Sequence, residues 1–281
     1  MIRVGVAGAA GRMGRSVVRA VARRSELALA AGWERPDHPD LGQDLGTLAG
    51  EPACDVVLGA DPDAGLAACD AVVDFTRPET TRRLAAAASA AGKTLIVGTT
   101  GLGSGERDIL REAAQNVPVV YATNFSTGVN VLWMLARRAA AALGEGFDAE
   151  IVETHHGRKK DAPSGTAMTL LEEVCRGKGL DPEQAARHGR EGLVGERSRD
   201  EIGLHAVRGG DVVGEHTLLL LGQGERLELK HLAHTRDMFA RGAARAAVWA
   251  HGRAPGSYSM QDVLGLAEPP GAGATKRGER A

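Results

Sequence analysis

Over the first 125 positions, short apolar runs alternate with stretches of helical spacing. "IRVGVAG", "LALAAGW", "DAVVDF", "TLIVGTT" and "VPVVYATN" read as strands. Between them, "GRSVVRAVARR" sets Val17, Val18 and Val21 on one helical face, and "TRPETTRRLAAAASAAG" and "SGERDILREAAQN" read as further helices. Apolar strands alternating with helices predict a parallel sheet covered on both faces. The pattern changes at Gly128: "GVNVLWMLARRAAAAL" is a long helix, "AEIVETHH" a strand running into a basic loop, and "SGTAMTLLEEVCRG" a helix with Ser164 near its start. "IGLHAVRGG", "EHTLLLLG" and "ERLELKHLAH" read as strands, the last two joined by a turn at Gly222–Gly224, which predicts antiparallel pairing and an α+β unit. A final helix, "TRDMFARGAARAAVWAHG", is expected to pack back on the first unit. The expected division is therefore 1–127, 128–237 and a returning segment at about 238–266; the Pro/Gly-rich, then charged, tail 267–281 is expected to be disordered.

Composition narrows the function classes. The 281 residues are 43% hydrophobic, enough for a full core. A formal net charge of −2 supplies no basic field for nucleic acid or anionic lipid. No apolar run approaches the roughly 20 residues of a membrane span, and the opening "MIRVGVAG" reads as a strand rather than a signal peptide. Cys54, Cys69 and Cys175 lie far apart, so reduced thiols in the cytoplasm are expected.

Two segments carry candidate chemistry. Gly8, Gly11 and Gly14 stand between the first strand and the first helix, where glycines let backbone N–H groups approach a pyrophosphate at a helix N-terminus. The spacing is G-x-x-G-x-x-G rather than the strict dinucleotide fingerprint. Glu34 lies at the end of the second strand, where an acid binds ribose hydroxyls, and Arg35 beside it suits a 2′-phosphate. "DFTRP", "GTTG" and "ATNFS" end three other strands, the edge at which open α/β sheets bind ligands. The second segment, "ETHHGRKKDAPSGTA", places His155 and His156 at a strand end, Lys159 and Lys160 in a loop, and Ser164 to Thr166 at a helix start. Cations, free helix N–H groups and an imidazole suit a small anionic substrate, with a proton supplied by His or Lys. Asp161 either neutralises the lysines or caps the turn. No third metal ligand with good spacing accompanies the histidines, so no metal is expected.

Taken together, "GAAGRMG", "DFTRPE", "VGTTG", "NFSTGVNV", "ETHHGRKKDAPSGTA" and "VRGGDVVGEHT" resemble the 4-hydroxy-tetrahydrodipicolinate (dihydrodipicolinate) reductases of lysine and diaminopimelate biosynthesis, over nearly the whole chain apart from the tail. The resemblance implies an α/β fold: a Rossmann-like parallel-sheet nucleotide domain plus an α+β substrate and oligomerisation domain with a mixed sheet, assembled as a homotetramer. It implies NADH or NADPH as cofactor and a small cyclic dicarboxylate as substrate. His155 matches the family's proton donor/acceptor and Lys159 its second proton donor; His156, Gly165 and Thr166 match substrate-binding positions. Gly8, Ala9, Ala10, Gly11, Arg12, Met13, Glu34, Arg35, Gly98, Thr99, Thr100, Ala122, Thr123, Asn124 and Phe125 match cofactor-binding positions, with Thr123 standing where the family often has Pro or Ala. Two alternatives stay open on the residues alone: another two-domain NAD(P)-dependent amino-acid dehydrogenase, or a protein that senses NAD(P)H without turnover.

Overall fold

The alternation of apolar runs builds a parallel sheet, with two strands beyond the five read from sequence. The computed structural model describes residues 1–266; the tail at 267–281 lies outside them. In chain order the first unit runs β1 (Ile2–Ala7), α1 (Arg12–Ala22), β2 (Leu27–Trp33), α2 (Leu45–Ala49), β3 (Leu58–Gly59), α3 (Pro62–Ala68), β4 (Ala71–Asp74), α4 (Pro78–Ala90), β5 (Thr94–Val97), α5 (Ser104–Ala113) and β6 (Pro118–Tyr121). It continues into α6 (Thr127–Leu143), β7 (Asp148–His155), α7 (Gly165–Lys178), α8 (Pro182–Ala185), β8 (Ala186–His188), β9 (Ile202–Arg208), β10 (Gly214–Leu221) and β11 (Arg226–Ala233). The chain then returns through α9 (Asp237–Ala250), β12 (Gly256–Tyr258) and α10 (Met260–Val263).

The first sheet has the order β12-β6-β5-β4-β1-β2-β3, all parallel. Its strands are apolar on both faces because each face meets helices. Val4, Val6, Val73, Ile96 and Val120 pack under α1, α9 and α10, while Val72, Leu95, Val97 and Val119 pack under α3, α4 and α5. The strands missed from sequence are the shortest: β3 holds only Leu58 and Gly59, and β12 comes from the far end of the chain to pair with β6. Helix α9 can lie close because its inner face is Ala240, Ala243, Ala244, Ala247 and Ala250, all fully buried, with Gly242 against the Phe125 carbonyl.

The second sheet, β11-β10-β7-β9-β8, is mixed. β10 pairs antiparallel with both β11 and β7, as the tight turn predicts. β9 makes the sheet mixed, as expected: it pairs parallel with β7 and with β8, and the chain between β9 and β10 crosses past the end of β7 instead of forming a hairpin. Helices α6 and α7 cover one face through Val129, Leu132, Trp133, Leu170, Leu171 and Val174 on Ile151, Leu204, Leu218 and Leu220. The other face carries the half-buried Val152, Thr217, Leu219 and Leu221 and the exposed Val207 and Leu232, with no helix of the described residues upon it. Its far end is held by Glu150, which accepts hydrogen bonds from Arg190 and Arg197 of the 189–201 loop and pairs with His205 at 2.8 Å. No helix among the described residues is long and apolar enough to cross a membrane.

Candidate active site

The glycine turn after β1 is packed too tightly for side chains. Gly8 has φ +67°, and a Cβ there would meet Thr76 Cγ2 at 2.9 Å. A Cβ on Gly14 would stand 2.1 Å from the Gly8 carbonyl oxygen and 2.7 Å from Ala9 Cα, so the first turn of α1 rests directly on the loop. Gly11 is the N-cap of α1 and offers no capping side chain, whereas Ser126 and Ser164 cap α6 and α7. A glycine bed leading to an uncapped helix start is what a pyrophosphate fits, so these residues suit a dinucleotide. Ala9 and Ala10 are buried, Met13 lies against the core, and Arg12 is exposed beside the turn. Glu34 follows β2 and brings Oε1 to 3.9 Å from the position of a Gly8 Cβ. Arg35 projects into solvent and pairs with Asp37 at 3.2 Å.

At the ends of β4, β5 and β6 the residues read as cofactor contacts divide into two kinds. Thr100 and Thr123 are exposed and Ala122 is half-buried. Thr99, Asn124 and Phe125 are buried, with internal partners. Thr99 Oγ1 accepts from the Thr76 N–H at 3.0 Å, and Asp74 accepts from the hydroxyls of Thr76 and Thr81 at 2.5 Å. Burial pushes the Asp74 carboxyl above its ordinary range, against those hydrogen bonds. Gly98 is a glycine because Phe75 lies 2.1 Å from where its Cβ would be; Phe75 in turn packs edge-on against Phe125 at 5.6 Å. Phe125 is thus a core side chain that shapes the loop. Asn124 joins the two sheets: its Oδ1 accepts from the Ser126 N–H at 2.8 Å and its Nδ2 donates to Thr166 Oγ1 at 3.1 Å.

The basic segment folds around a buried carboxylate. His155 is the last residue of β7 and faces inward, at 8% exposure; His156 follows after the strand has ended, and its N–H donates to the Val212 carbonyl. His155 Nδ1 lies 2.5 Å from Glu153 Oε2. Glu153 has no exposed surface, and Arg208 donates to both of its oxygens at 2.7 and 2.8 Å while the Ser164 N–H donates at 3.0 Å. Burial alone would raise the Glu153 pKa, but the bonds from Arg208, His155 and Ser164 outweigh it and leave Glu153 below its ordinary value. Burial lowers the His155 pKa, with Glu153 opposing and Lys159 and Arg208 adding to the fall. His216 of β10 sits edge-on to His155 at 5.2 Å, with Nε2 3.1 Å from Ser164 Oγ, and burial pushes it down to about 3.

Lys159 is largely covered and pairs with the exposed Asp161 at 2.8 Å, so Asp161 does neutralise a lysine of the cluster. Ser164 Oγ accepts from the Ala167 N–H, leaving Gly165 and Thr166 as the N–H groups at the head of α7 without an intrahelical acceptor. His155, Lys159 and the start of α7 therefore converge on the side that Asn124 links to the end of β6. Among the described residues no group of His, Cys, Asp and Glu is placed to hold a metal ion.

Sequence reasoning missed Glu153, Arg208 and His216. Glu153 left a signal, since in a strand it shares a face with His155 two positions on. Arg208 and His216 stand inside the quoted "VRGGDVVGEHT", but nothing local marks them as partners of Glu153 and His155, which they reach only through the pairing of β7 with β9 and β10.

Comparison with known proteins agrees over the whole of this architecture. The dihydrodipicolinate reductase N-terminus model matches residues 2–125 and the dihydrodipicolinate reductase C-terminus model residues 128–264. Similar curated proteins include the 4-hydroxy-tetrahydrodipicolinate reductases of Citrifermentans bemidjiense (47% identical) and Syntrophotalea carbinolica (49%), each alignment covering 95% of this chain and 100% of the relative. Among solved structures, the dipicolinate-bound dihydrodipicolinate reductase from Paenisporosarcina sp. TG-14 has the same fold, with TM-score 0.74 and 24% identity over 93% of this chain and 98% of that one. An amine dehydrogenase from Mycobacterium smegmatis, at TM-score 0.58 and 13% identity over 92% and 95% of the two chains, shares the two-part architecture more distantly. With a glycine turn, a mixed second sheet and sequence identity running through both, the chain belongs to the dihydrodipicolinate reductase family.

Proposed function

We propose that the chain reduces 4-hydroxy-tetrahydrodipicolinate to tetrahydrodipicolinate, with loss of water, using NADH or NADPH in lysine and diaminopimelate biosynthesis. The observation that carries this reading is the convergence of a carboxylate-held imidazole, a covered lysine and the open start of α7. Bound NAD(P)H supplies hydride. Residues Gly8 to Met13 and the N-terminus of α1 hold its pyrophosphate, Glu34 its ribose, and Gly98, Thr99, Thr100 and Ala122 to Phe125 border the nicotinamide end. The N–H groups of Gly165 and Thr166, the Thr166 hydroxyl and His156 hold a substrate carboxylate, and Lys159 balances its charge. His155 and Lys159 are the groups that move protons; a positioned acid contributes about 10²–10⁴-fold in rate. The test is a coupled assay in which the product of the preceding synthase is offered with each nucleotide in turn. Oxidation of either nucleotide that requires the cyclic substrate supports the reading; no such oxidation overturns it.

The nucleotide itself gives a further expected result. Glu34 suits a free ribose diol and Arg35 a 2′-phosphate, so both NADH and NADPH are expected to serve. Glu34→Ala is expected to raise KM for NADH more than for NADPH. Equal losses for the two would show that Glu34 does not read the ribose.

The uncovered face of the second sheet supports assembly as a homotetramer of this chain. Val152, Leu219, Leu221, Val207 and Leu232 lie on this uncovered face, where a second copy would bury them. Sedimentation at micromolar concentration is expected to give the tetramer, and the double substitution Val207→Arg and Leu232→Arg a smaller species. A wild-type protein of single-chain mass would refute the assembly.

A further inference from the structure

The reading of His155 as the proton-moving group leaves open which of its nitrogens acts and what sets its orientation. Glu153 lies in the interior with every contact accounted for: Arg208 on both oxygens, the Ser164 N–H on one, and His155 Nδ1 on the other. A carboxylate so held is ionised and can only accept hydrogen bonds. The group facing it must then donate, so Nδ1 of His155 carries a proton whether the ring is neutral or cationic. Nε2 is left as the atom that gains and loses a proton. It makes no hydrogen bond among the described residues, and it lies beside Gly214, where an added Cβ would stand 2.9 Å away. The missing side chain at 214 keeps that nitrogen uncovered.

We propose that Glu153, clamped by Arg208 and the Ser164 N–H, is a positioning residue that fixes the His155 ring with Nδ1 protonated and reserves Nε2 for proton transfer. This rests on His155 being the proton donor of the proposed reaction. The charged and titratable groups around the ring are Glu153 on β7, Arg208 on β9, His216 on β10, and Lys159 in the loop, itself paired with Asp161. Only Glu153 among these favours the cationic ring; Lys159, Arg208 and burial oppose it. His216, pushed down to about 3, stays neutral at working pH and adds no charge.

A donor works while protonated, so activity falls as pH rises through the His155 pKa. Removing the Glu153 charge lowers that pKa further and moves the alkaline limb of kcat/KM to lower pH. For Glu153→Gln the limb is expected to move down by about one pH unit or more, with a rate loss of about tenfold above it and little change in KM for substrate. A Gln variant with the wild-type limb would overturn the proposal. Because Glu153→Gln leaves Arg208 without its counter-charge and risks misfolding, the wild-type enzyme offers a second measurement. Histidine side-chain 15N NMR at high pH is expected to show the His155 proton on Nδ1; a proton on Nε2 would overturn the proposal without any variant. His155→Ala distinguishes the role of His155 from that of Glu153. If that variant keeps its kcat, the reading of His155 fails; if it loses kcat while Glu153→Gln keeps both rate and pH profile, only the role of Glu153 fails.

Discussion

Replacing His155 or Lys159 by alanine is expected to lower kcat by about 10²–10⁴-fold while leaving NADH affinity nearly unchanged. Both side chains lie on the second sheet and its following loop, away from the glycine turn that the nucleotide fits. Their loss would remove the proposed proton transfer and charge stabilisation without touching the first sheet. Thr166→Ala is expected to act differently. Its hydroxyl accepts from Asn124, and its proposed contact with a substrate carboxylate would be held in ground and transition states alike, so the loss should fall mainly on KM. Steady-state kinetics on the three variants, with NADH fluorescence titration as the control, separates the two behaviours. Near-normal kcat in both His155→Ala and Lys159→Ala would reduce the cluster to an anion-binding loop.

Gly14→Ala should show the opposite pattern. The added methyl would fall 2.1 Å from the Gly8 carbonyl oxygen and 2.7 Å from Ala9 Cα, both backbone atoms that cannot rotate aside. Either α1 lifts from the turn or the turn shifts, and each displaces the N–H groups proposed to hold the pyrophosphate. Overpacking of this kind costs about 1–3 kcal/mol. The expected results are a lowered Tm and at least about tenfold weaker NADH binding, at 1.4 kcal/mol per tenfold in affinity. Unchanged nucleotide affinity would show that the glycine turn is structural only.

Legibility in the sequence followed the range of the interactions. β1, β2, β4, β5 and β6 announce themselves because each is an apolar run bounded by turn residues, and the glycine turn is local to a few positions. His155, Lys159 and Thr166 sit within one continuous segment, so their proximity could be read directly. β3 is too short to carry a pattern, and β12 owes its place to β6, well over a hundred residues earlier. The parallel pairing of β9 with β7 depends on a crossover that no local signal specifies, and with it went Arg208, 55 residues from the Glu153 it clamps. Phe125 illustrates a further limit: its motif marks the loop correctly, but only packing against Phe75 and Gly242 shows that its side chain serves the core.

The late return of the chain has a consequence for its birth on the ribosome. Val4, Val6, Val73, Ile96 and Val120 emerge early, yet α9, α10 and β12, which complete their surroundings, are made last. The second sheet has all of its strands, and both helices that cover it, before α9 appears. The usual order of synthesis, in which the N-terminal unit is finished first, is thereby reversed: the middle of the chain can mature while the beginning waits for its end. Nascent chains arrested before Asp237 should accordingly hold a protease-resistant core from the 128–233 region and a protease-sensitive N-terminal half, and release of the full chain should protect both.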